Sequence, residues 1–251
     1  MKKVIKKFIK RIPFVKNQMK ILQLKGPDLK QFLRQIIQNS SPTIIDVGAN
    51  EGQTIDFMLD FFDNPRIYSF EPTLSLFNEL QLKYQHLQNV QIFNFALGET
   101  NGEIEFEMSD YSPTNSVLKP DIKLYRKYEN QLKLSEIFLN TNKQTKVKIQ
   151  TFNSWYRQNI KNEFIDIFKS DTQGFEYNVL KGAEGVFKNI GCVIVELQFM
   201  SFYQNSVPFF KICELLYENN FILYTFVNIS RYDKTNQIIQ LDAIFVNNKF
   251  V

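Results

Sequence analysis

From residue 42 to the end of the chain, short apolar segments alternate with segments of helical periodicity. The apolar segments, rich in β-branched residues, predict strands at 43–47, 66–70, 90–95, 164–168, 192–197, 221–227 and 243–246. The helical patterns lie at 54–62, 75–86, 177–188 and 208–218. Because neighbouring parallel strands need a crossover helix between them, this alternation predicts an α/β fold, with a mostly parallel twisted sheet and helices on both faces.

Two parts of the chain depart from this alternation. A polar loop at 230–240 leaves no room for a crossover helix, so we expect the last two strands to form a closing antiparallel hairpin at the sheet edge. An extra strand is expected at 103–108, followed by a polar insertion at about 109–146 and another strand at 147–151. Insertions of this length often shape a substrate pocket. We therefore expect residues 21–251 to form a single domain with the insertion on its substrate side.

The cysteine and histidine contents exclude several kinds of chemistry. Cys192 and Cys213 are the two cysteines, and their spacing fits neither a disulfide framework nor a zinc site, which favours a reducing, cytoplasmic location. The single histidine, His86, excludes a mechanism that needs two, and its place at the end of a predicted helix indicates a surface residue. The uncharged runs are too short or too polar to span a bilayer.

The first twenty residues differ from the rest of the chain in charge. They contain eight lysines and arginines and no acid, and apolar residues recur between them at helical spacing, at Val4, Ile5, Phe8, Ile9 and Ile12. Such a basic amphipathic segment favours peripheral contact with an anionic membrane, here the inner face, although a helix packed on the domain is the alternative. Because the whole chain carries +4 and this segment +8, residues 21–251 carry −4. The domain is therefore not expected to bind nucleic acid.

A glycine turn follows the first predicted strand, in the sequence IIDVGANEG at 44–52. In nucleotide-binding α/β folds, a glycine here lets the backbone approach the ligand, and a helix begins just after it. The turn is not GxGxxG and no GK[ST] follows, so a phosphate cradle is not predicted. The second strand ends in Phe70, Glu71 and Pro72, which places a carboxylate where such folds hold a ribose diol. Together these features indicate a site for a nucleoside-containing ligand.

Six motifs, taken in order, resemble the FkbM family of S-adenosylmethionine-dependent methyltransferases. They are IIDVGANEGQT (44–54), FEP (70–72), ALGE (96–99), FKSDTQGFEYNVLKGAE (168–184), VIVELQF (193–199) and LDAIFVN (241–247). The similarity runs from about residue 43 to residue 250 and is weakest in the insertion. It implies a Rossmann-like class I methyltransferase fold, S-adenosyl-L-methionine as cofactor, and methylation of sugar hydroxyls, often in glycans or secondary metabolites.

The resemblance also implies roles for individual residues. The turn residues that would bind the methionine end of the cofactor are Asp46, Gly48, Ala49, Asn50 and Gly52. Glu71, followed by Pro72, would hold the ribose hydroxyls, and a segment that contains Asn94 and Ala96 would form the wall against which adenine lies. Asp171 would face the transferred methyl group.

Methyl transfer to a hydroxyl is an in-line displacement, and a sugar hydroxyl needs a base to accept its proton. We expect Asp171 to be that base, with Glu196 as an acceptor-orienting group or alternative base, because both follow or end adjacent strands beside the ligand crevice. For Glu196 the alternative is a structural pair with a buried lysine or a backbone amide. Glu176 is expected to favour the start of its helix. Tyr203, Asn115 and Ser116 are placed either to touch the acceptor or simply to form polar loops.

Three further hypotheses remain open beside sugar O-methylation. One is metal-assisted transfer, in which Asp171, Glu196 and Mg²⁺ hold the acceptor oxygen. Asn153 and Gln173 stand where acids are common in the family, so no metal site is predicted. Another is nucleic-acid binding through the basic N-terminus. The last is a cofactor-binding module without catalysis, which Asp46 and Glu71 disfavour.

Overall fold

The computed structural model describes residues 29–108, 114–124, 143–200, 202–231 and 235–250. The helices are α1 (Leu29–Ile36), α2 (Gln53–Phe61), α3 (Leu74–Tyr84), α4 (Phe152–Asn159), α5 (Glu176–Ala183) and α6 (Phe209–Glu218), with a 3-10 helix (Glu184–Asn189) after α5. The strands are β1 (Thr43–Val47), β2 (Arg66–Phe70), β3 (Val90–Phe93), β4 (Ala96–Leu97), β5 (Gly102–Met108), β6 (Lys143–Gln150), β7 (Ile165–Ser170), β8 (Ile190–Gln198), β9 (Phe221–Arg231) and β10 (Ile238–Asn247). The basic segment 1–20 and insertion residues 109–113 and 125–142 lie outside the described residues.

A seven-stranded sheet forms the centre of the fold, in the order β3-β2-β1-β7-β8-β10-β9. The pairs from β3 to β8 are parallel, whereas β10 runs antiparallel to both β8 and β9. The predicted α/β fold and its closing antiparallel hairpin are thus confirmed. Strand order reverses between β1 and β7, and in open parallel sheets a ligand binds outside the carboxyl ends of the strands at such a switch point.

Two hydrophobic clusters cover the two faces of this sheet. On one face, α1, α2 and α3 bury Phe32, Ile55 and Leu80 against β1 and β7. On the other face, helices α4, α5 and α6 pack together with a smaller sheet of order β4-β6-β5. β1 and β8 are therefore apolar along almost their whole length, as expected for strands covered on both faces.

Aromatic packing joins α4 to the central sheet. The Trp155 ring lies 5.0 Å from Phe70, 5.2 Å from Phe93, 5.3 Å from Tyr68 and 5.6 Å from Phe152, measured between ring centroids. These contacts come from β2, β3 and α4, and they fix the helix against the strand that ends at Glu71.

The sequence pattern missed several short elements. It did not predict α1, α4 or β4, because each is brief and α4 shows only one apolar turn, at Phe152, Trp155 and Tyr156. Thr151 accepts a hydrogen bond from the Ser154 amide and caps α4. β6 begins at residue 143, within the predicted insertion, because its polar first half pairs with β5. The helix expected at 177–188 changes to a 3-10 helix after residue 183, in a stretch where Gly185 weakens helix propensity.

None of the helices in the described ranges combines the length and the apolar character needed to cross a bilayer.

The packing of α5 at Gly182 can be tested by mutation. A Cβ at this position would lie 1.9 Å from the Gly98 carbonyl oxygen, so α5 contacts the chain after β4 backbone to backbone. Glycine to alanine in a helix ordinarily stabilises by about 1 kcal/mol. Here we expect Gly182→Ala to lower the free energy of unfolding by about 1–3 kcal/mol, because two backbones must separate. Chemical denaturation measures this change, with exposed Ser75→Ala on α3 as control. An increase in stability would contradict the close contact.

Candidate active site

A cleft opens at the carboxyl ends of β1, β2 and β7, at the switch point of the sheet. Its cavity measures about 280 Å³. Of the residues singled out in the sequence for cofactor or catalysis, those that line it are Gly48, Ala49, Asn50, Glu71, Pro72, Ala96 and Asp171. Apolar side chains of Phe70, Leu76, Leu97 and Phe106 complete one side of the wall.

The glycine turn brings the ends of β1 and β7 together. Gly48 has φ 87°, and a Cβ there would lie 2.0 Å from the Asp171 carbonyl oxygen. The Asp171 amide donates to the Val47 carbonyl at 3.0 Å, while the Gly48 and Ala49 amides donate to the Phe70 carbonyl at 3.0 and 3.1 Å. Only a residue without a side chain permits this approach.

Gly52 and Asn94 act behind the cleft and do not line it. Gly52 also has φ 87°, and a Cβ there would lie 2.4 Å from the Tyr84 hydroxyl oxygen, so this glycine lets α2 start against α3. The Asn94 side-chain amide donates to the carbonyls of Glu71 and Pro72, both at 3.0 Å. It therefore secures the turn after β2.

Glu71 is a buried carboxylate at the tip of β2. Its Oε2 accepts from the Asn50 amide at 2.9 Å and its Oε1 accepts from the Thr73 amide at 2.8 Å. Burial raises the pKa of Glu71, and the hydrogen bonds from Thr73 and Asn50 oppose this shift. The side chain is thus fixed between the glycine turn and the start of α3, with each oxygen retaining acceptor capacity.

Asp46 lies below the turn, fully buried in β1. Its Oδ2 accepts from the Ser69 hydroxyl at 3.2 Å. Burial raises the pKa of Asp46, and the positive charge of Lys169, opposite it in the β1–β7 register, works against that shift. Asp46 supports the floor of the cleft and is not part of its lining.

Three carboxylates, those of Asp171, Glu176 and Glu196, converge beside the cleft, with one oxygen of each within 4.8 Å of the others. Glu176 starts α5, as predicted, and accepts from the Thr172 amide at 2.8 Å and the Gly174 amide at 3.1 Å. Burial raises the pKa of Glu176 to about 7 although these backbone amides oppose it. Its carboxylate is thus engaged in holding the loop between β7 and α5.

Glu196 is held by glutamine side chains, where the sequence suggested a buried lysine or a backbone amide. Its Oε1 accepts from Gln240 at 2.7 Å, and its Oε2 accepts from Gln198 at 3.0 Å and Gln173 at 3.3 Å. Burial raises the pKa of Glu196 well above its usual range, and the negative charges of Asp171 and Glu176 add to the shift.

Asp171 remains partly open to the cleft, with 34% of its side chain exposed. Its Oδ1 accepts from the Gln173 side-chain amide at 3.0 Å, and its Oδ2 lies 3.2 Å from the Lys169 ammonium. Gln173 therefore bridges Asp171 and Glu196. An acidic residue at position 173 would add another carboxylate to this cluster, whereas the Gln173 amide donates to both Asp171 and Glu196.

Lys169 is the site residue that the sequence interpretation missed. It lies in a strand that is otherwise buried, and its ammonium faces Asp171 and the charges of Asp46 and Asp242. Burial acts to lower the pKa of Lys169, but these three carboxylates outweigh it and raise the pKa above its usual value. The sequence did contain one indication of this role: a lysine stands inside the largely apolar strand IDIFKS. A buried charge needs partners, so such a lysine predicts carboxylates nearby.

A short strap of the insertion, residues 114–118, contributes Asn115 and Val117 to the lining of the cleft. Asn115 lines the cleft, and its side-chain amide approaches the Thr73 hydroxyl oxygen at 3.4 Å. The Ser116 hydroxyl donates to the Gln173 carbonyl at 2.8 Å, and the Tyr203 hydroxyl donates to the Gln173 side-chain oxygen at 3.1 Å. Ser116 and Tyr203 therefore hold Gln173 in place.

His86, Cys192 and Cys213 do not line the cleft. His86 is exposed two residues after α3, as the sequence predicted. Cys192 and Cys213 are both free thiols.

The donor set of the cleft fits a nucleoside with a polar tail. Glu71 offers two buried carboxylate oxygens for a diol, and Ala96 and Leu97 offer an apolar wall for a base. Gly48, Ala49 and Asn50 bring the turn after β1 into the lining of the cleft. The turn at 44–52 and the carboxylate that ends the second strand lead us to expect a site for a nucleoside-containing ligand at these strand ends.

Known proteins with similar sequences were found for most of the chain. A family model described as "Methyltransferase FkbM domain" matches residues 46–223. The 2-O-methyltransferase NoeI of Sinorhizobium fredii (strain NBRC 101917 / NGR234) is 21% identical over 188 residues, which cover 72% of this chain and 73% of that protein.

Solved structures with a similar fold are more distant. The CurJ carbon methyltransferase is 9% identical with a TM-score of 0.47, over 86% of this chain and 50% of that one. Fibrillarin from Aeropyrum pernix, in complex with natively bound S-adenosyl-L-methionine, is 12% identical with a TM-score of 0.43, over 85% of this chain and 72% of that one.

Proposed function

The chain belongs to the FkbM family of S-adenosylmethionine-dependent methyltransferases, and we propose that it methylates a sugar hydroxyl in a glycan or glycoconjugate precursor. The observation that carries this proposal is the partly open Asp171 carboxylate, which stands at the mouth of the cleft between two fixed donors. The similarity to a 2-O-methyltransferase supports oxygen as the acceptor atom.

In this proposal the cleft binds the methyl donor along its length. Glu71 and Pro72 bind the ribose, the turn that contains Gly48, Ala49 and Asn50 binds the methionine end, and Ala96 with Leu97 forms the adenine wall. Asp46, Gly52 and Asn94 support these residues from behind through the contacts described above. The cofactor supplies an electrophilic methyl group on a positively charged sulfur.

Asp171 serves as the base and Glu196 as the orienting group. A base must hold no proton when the acceptor arrives. Burial and the neighbouring carboxylates raise the pKa of Glu196 well above its usual range, which favours a protonated carboxyl at that position. Asp171 is more open and lines the cleft, so it is the carboxylate that an acceptor hydroxyl can reach.

A cluster of polar side chains beyond Asp171, with Glu196 buried within it and Asn228 exposed, supports a sugar as the acceptor. Glu196 faces Asp242 in the β8–β10 register, and the Asn228 side-chain amide donates to Asp242 at 2.7 Å. The side-chain amides of Gln198 and Gln240 both donate to Glu196. Carboxylates and amides fixed side by side in this way offer both acceptors and donors to vicinal sugar hydroxyls.

The basic segment 1–20 suggests where in the cell the protein would act in this proposal. Its eight positive charges and apolar face favour peripheral contact with the inner face of an anionic membrane. A lipid-linked glycan precursor would be concentrated at such a surface. The net −4 of residues 21–251 disfavours nucleic acid as the acceptor.

Glu71→Gln tests the cofactor assignment. We expect the affinity for S-adenosylmethionine to fall about 10-fold or more, because hydrogen bonds to a charged acceptor contribute ~1.5–3 kcal/mol. Isothermal titration calorimetry measures the affinity, and denaturation confirms that the variant is folded. Glu51→Gln, an exposed glutamate on the same turn, is the matched control. Wild-type affinity in a folded Glu71→Gln protein would rule out the ribose role.

Asp171→Asn tests the base. Turnover should fall about 10²–10⁴-fold, the usual contribution of a general base, while cofactor affinity changes little. The assay follows methyl label from the cofactor into a panel of oligosaccharide and lipid-linked sugar acceptors. Exposed Asp63→Asn is the control and should behave as wild type. Undiminished turnover would remove Asp171 as base, and label found only in protein or free lipid would overturn the sugar acceptor.

Metal-assisted transfer is the second candidate, because Asp171, Glu176 and Glu196 are close enough to share an ion. The Lys169 ammonium and the Gln173 amide already bind the inward-facing carboxylate oxygens, which disfavours a divalent cation. We therefore expect turnover to persist after exhaustive treatment with a chelator. Loss of turnover that added Mg²⁺ restores would favour the metal route instead.

A further inference from the structure

Lys169 links the two sides of the proposed reaction centre. It lies opposite Asp46 in the β1–β7 register, so its backbone belongs to the layer that supports the cofactor turn. Its ammonium lies 3.2 Å from the Asp171 carboxylate, at the mouth of the same cleft. The side chain lines the cleft and is 16% exposed. One residue therefore spans the distance between the floor of the cleft and the proposed base.

Three carboxylates act on the Lys169 ammonium, whereas its register partner on β8, Ile194, is apolar. Asp46 approaches from β1, Asp171 from the end of its own strand and Asp242 from β10. Glu196 on β8 and Glu176 on α5 lie just beyond, next to Asp171. A carboxylate cluster of this density requires a compensating cation. Lys169 supplies that positive charge. The surrounding carboxylates raise the pKa of Lys169, so its ammonium keeps its proton.

We propose that Lys169 is a positioning residue for methyl transfer, which holds the Asp171 carboxylate in register with the acceptor oxygen. This inference rests on the proposed function. Lys169 engages Oδ2 and Gln173 engages Oδ1, so the carboxylate plane is fixed at both oxygens. Each oxygen keeps a second lone pair, and the exposed side of Asp171 faces the cleft.

In the proposed methyl transfer, the site accounts for each bond that forms or breaks and for the proton that is released. The acceptor oxygen forms the bond to the methyl carbon as the carbon–sulfur bond breaks, and that electron pair goes to sulfur. The hydroxyl proton passes to Asp171. Lys169 keeps its proton throughout and contributes charge and orientation alone.

Truncation of Lys169 provides the test. In Lys169→Met and Lys169→Ala we expect kcat to fall about 10²-fold, the scale on which misplaced catalytic groups act. Cofactor affinity should remain near that of wild type. Lys181→Met, which removes an α5 lysine from a partly exposed ion pair with Glu184 of the 3-10 helix, is the matched control and should keep wild-type kcat.

Chemical rescue separates positioning from a purely structural role. Because Lys169 lines the cleft, its truncation to alanine opens a space that a small alkylammonium ion can enter. We expect ethylammonium or propylammonium to restore kcat of Lys169→Ala in a saturable way, and neutral propanol to have no effect. Folded, cofactor-binding Lys169→Ala that shows wild-type kcat, or no rescue, would overturn the proposal.

A third variant keeps the proposal testable if truncation prevents folding. Lys169→Arg retains the positive charge but displaces it, so we expect a folded protein with reduced kcat and unchanged cofactor affinity. Wild-type kcat in this variant would again overturn the positioning role. If Asp171→Asn alone keeps full turnover, the proposed base fails; if only the Lys169 variants keep it, the base stands and this inference fails.

Discussion

The contact between the Gly48 turn and the Asp171 backbone is the constraint on which the rest of the site depends. The Asp171 carbonyl oxygen occupies the space that any side chain at position 48 would need. Backbone hydrogen bonds from Asp171 to Val47 and from Gly48 to Phe70 then tie three strand ends together. Since β1 and β7 flank the switch point of the sheet, this single approach sets the width of the cleft. It also decides how far the proposed base stands from the cofactor-binding turn.

Charge balance is the second determinant of the site. Five carboxylates lie near one another in and below the cleft, and burial is the largest of the causes that raise the pKa of Asp46, Glu176, Glu196 and Asp242. The cluster is held by one ammonium and by glutamine amides, which donate to oxygens without adding negative charge. Gln173 is central because its amide joins Asp171 to Glu196 while Tyr203 and Ser116 restrain it from the other side.

The smaller sheet and the strap of the insertion close the cleft from the opposite side. Phe106 of β5 and Val117 of the strap both line the cavity, so the region that breaks the strand–helix alternation contributes directly to the site. Its contacts run to Thr73, next to Pro72 of the cleft lining, and to Gln173, next to Asp171. The expectation that the insertion shapes a substrate pocket is consistent with these contacts, and its residues 109–113 and 125–142 lie outside the described part of the chain.

The sequence alone determined the α/β class, most strand positions and the residues at the strand tips, because periodicity and the glycine turn are local signals. Gly48, Glu71 and Asp171 were found in this way. Only the tertiary structure decided what surrounds them. Lys169, Gln198 and Gln240 meet near two carboxylates because β7, β8 and β10 pair in one register, and a slip of one residue would turn these side chains to the opposite face. Gln173 joins them from the loop after β7. These residues are far apart along the chain, so no local sequence pattern connects them. The neighbours of Glu196 and the proposed role of Lys169 were therefore visible only in the tertiary structure.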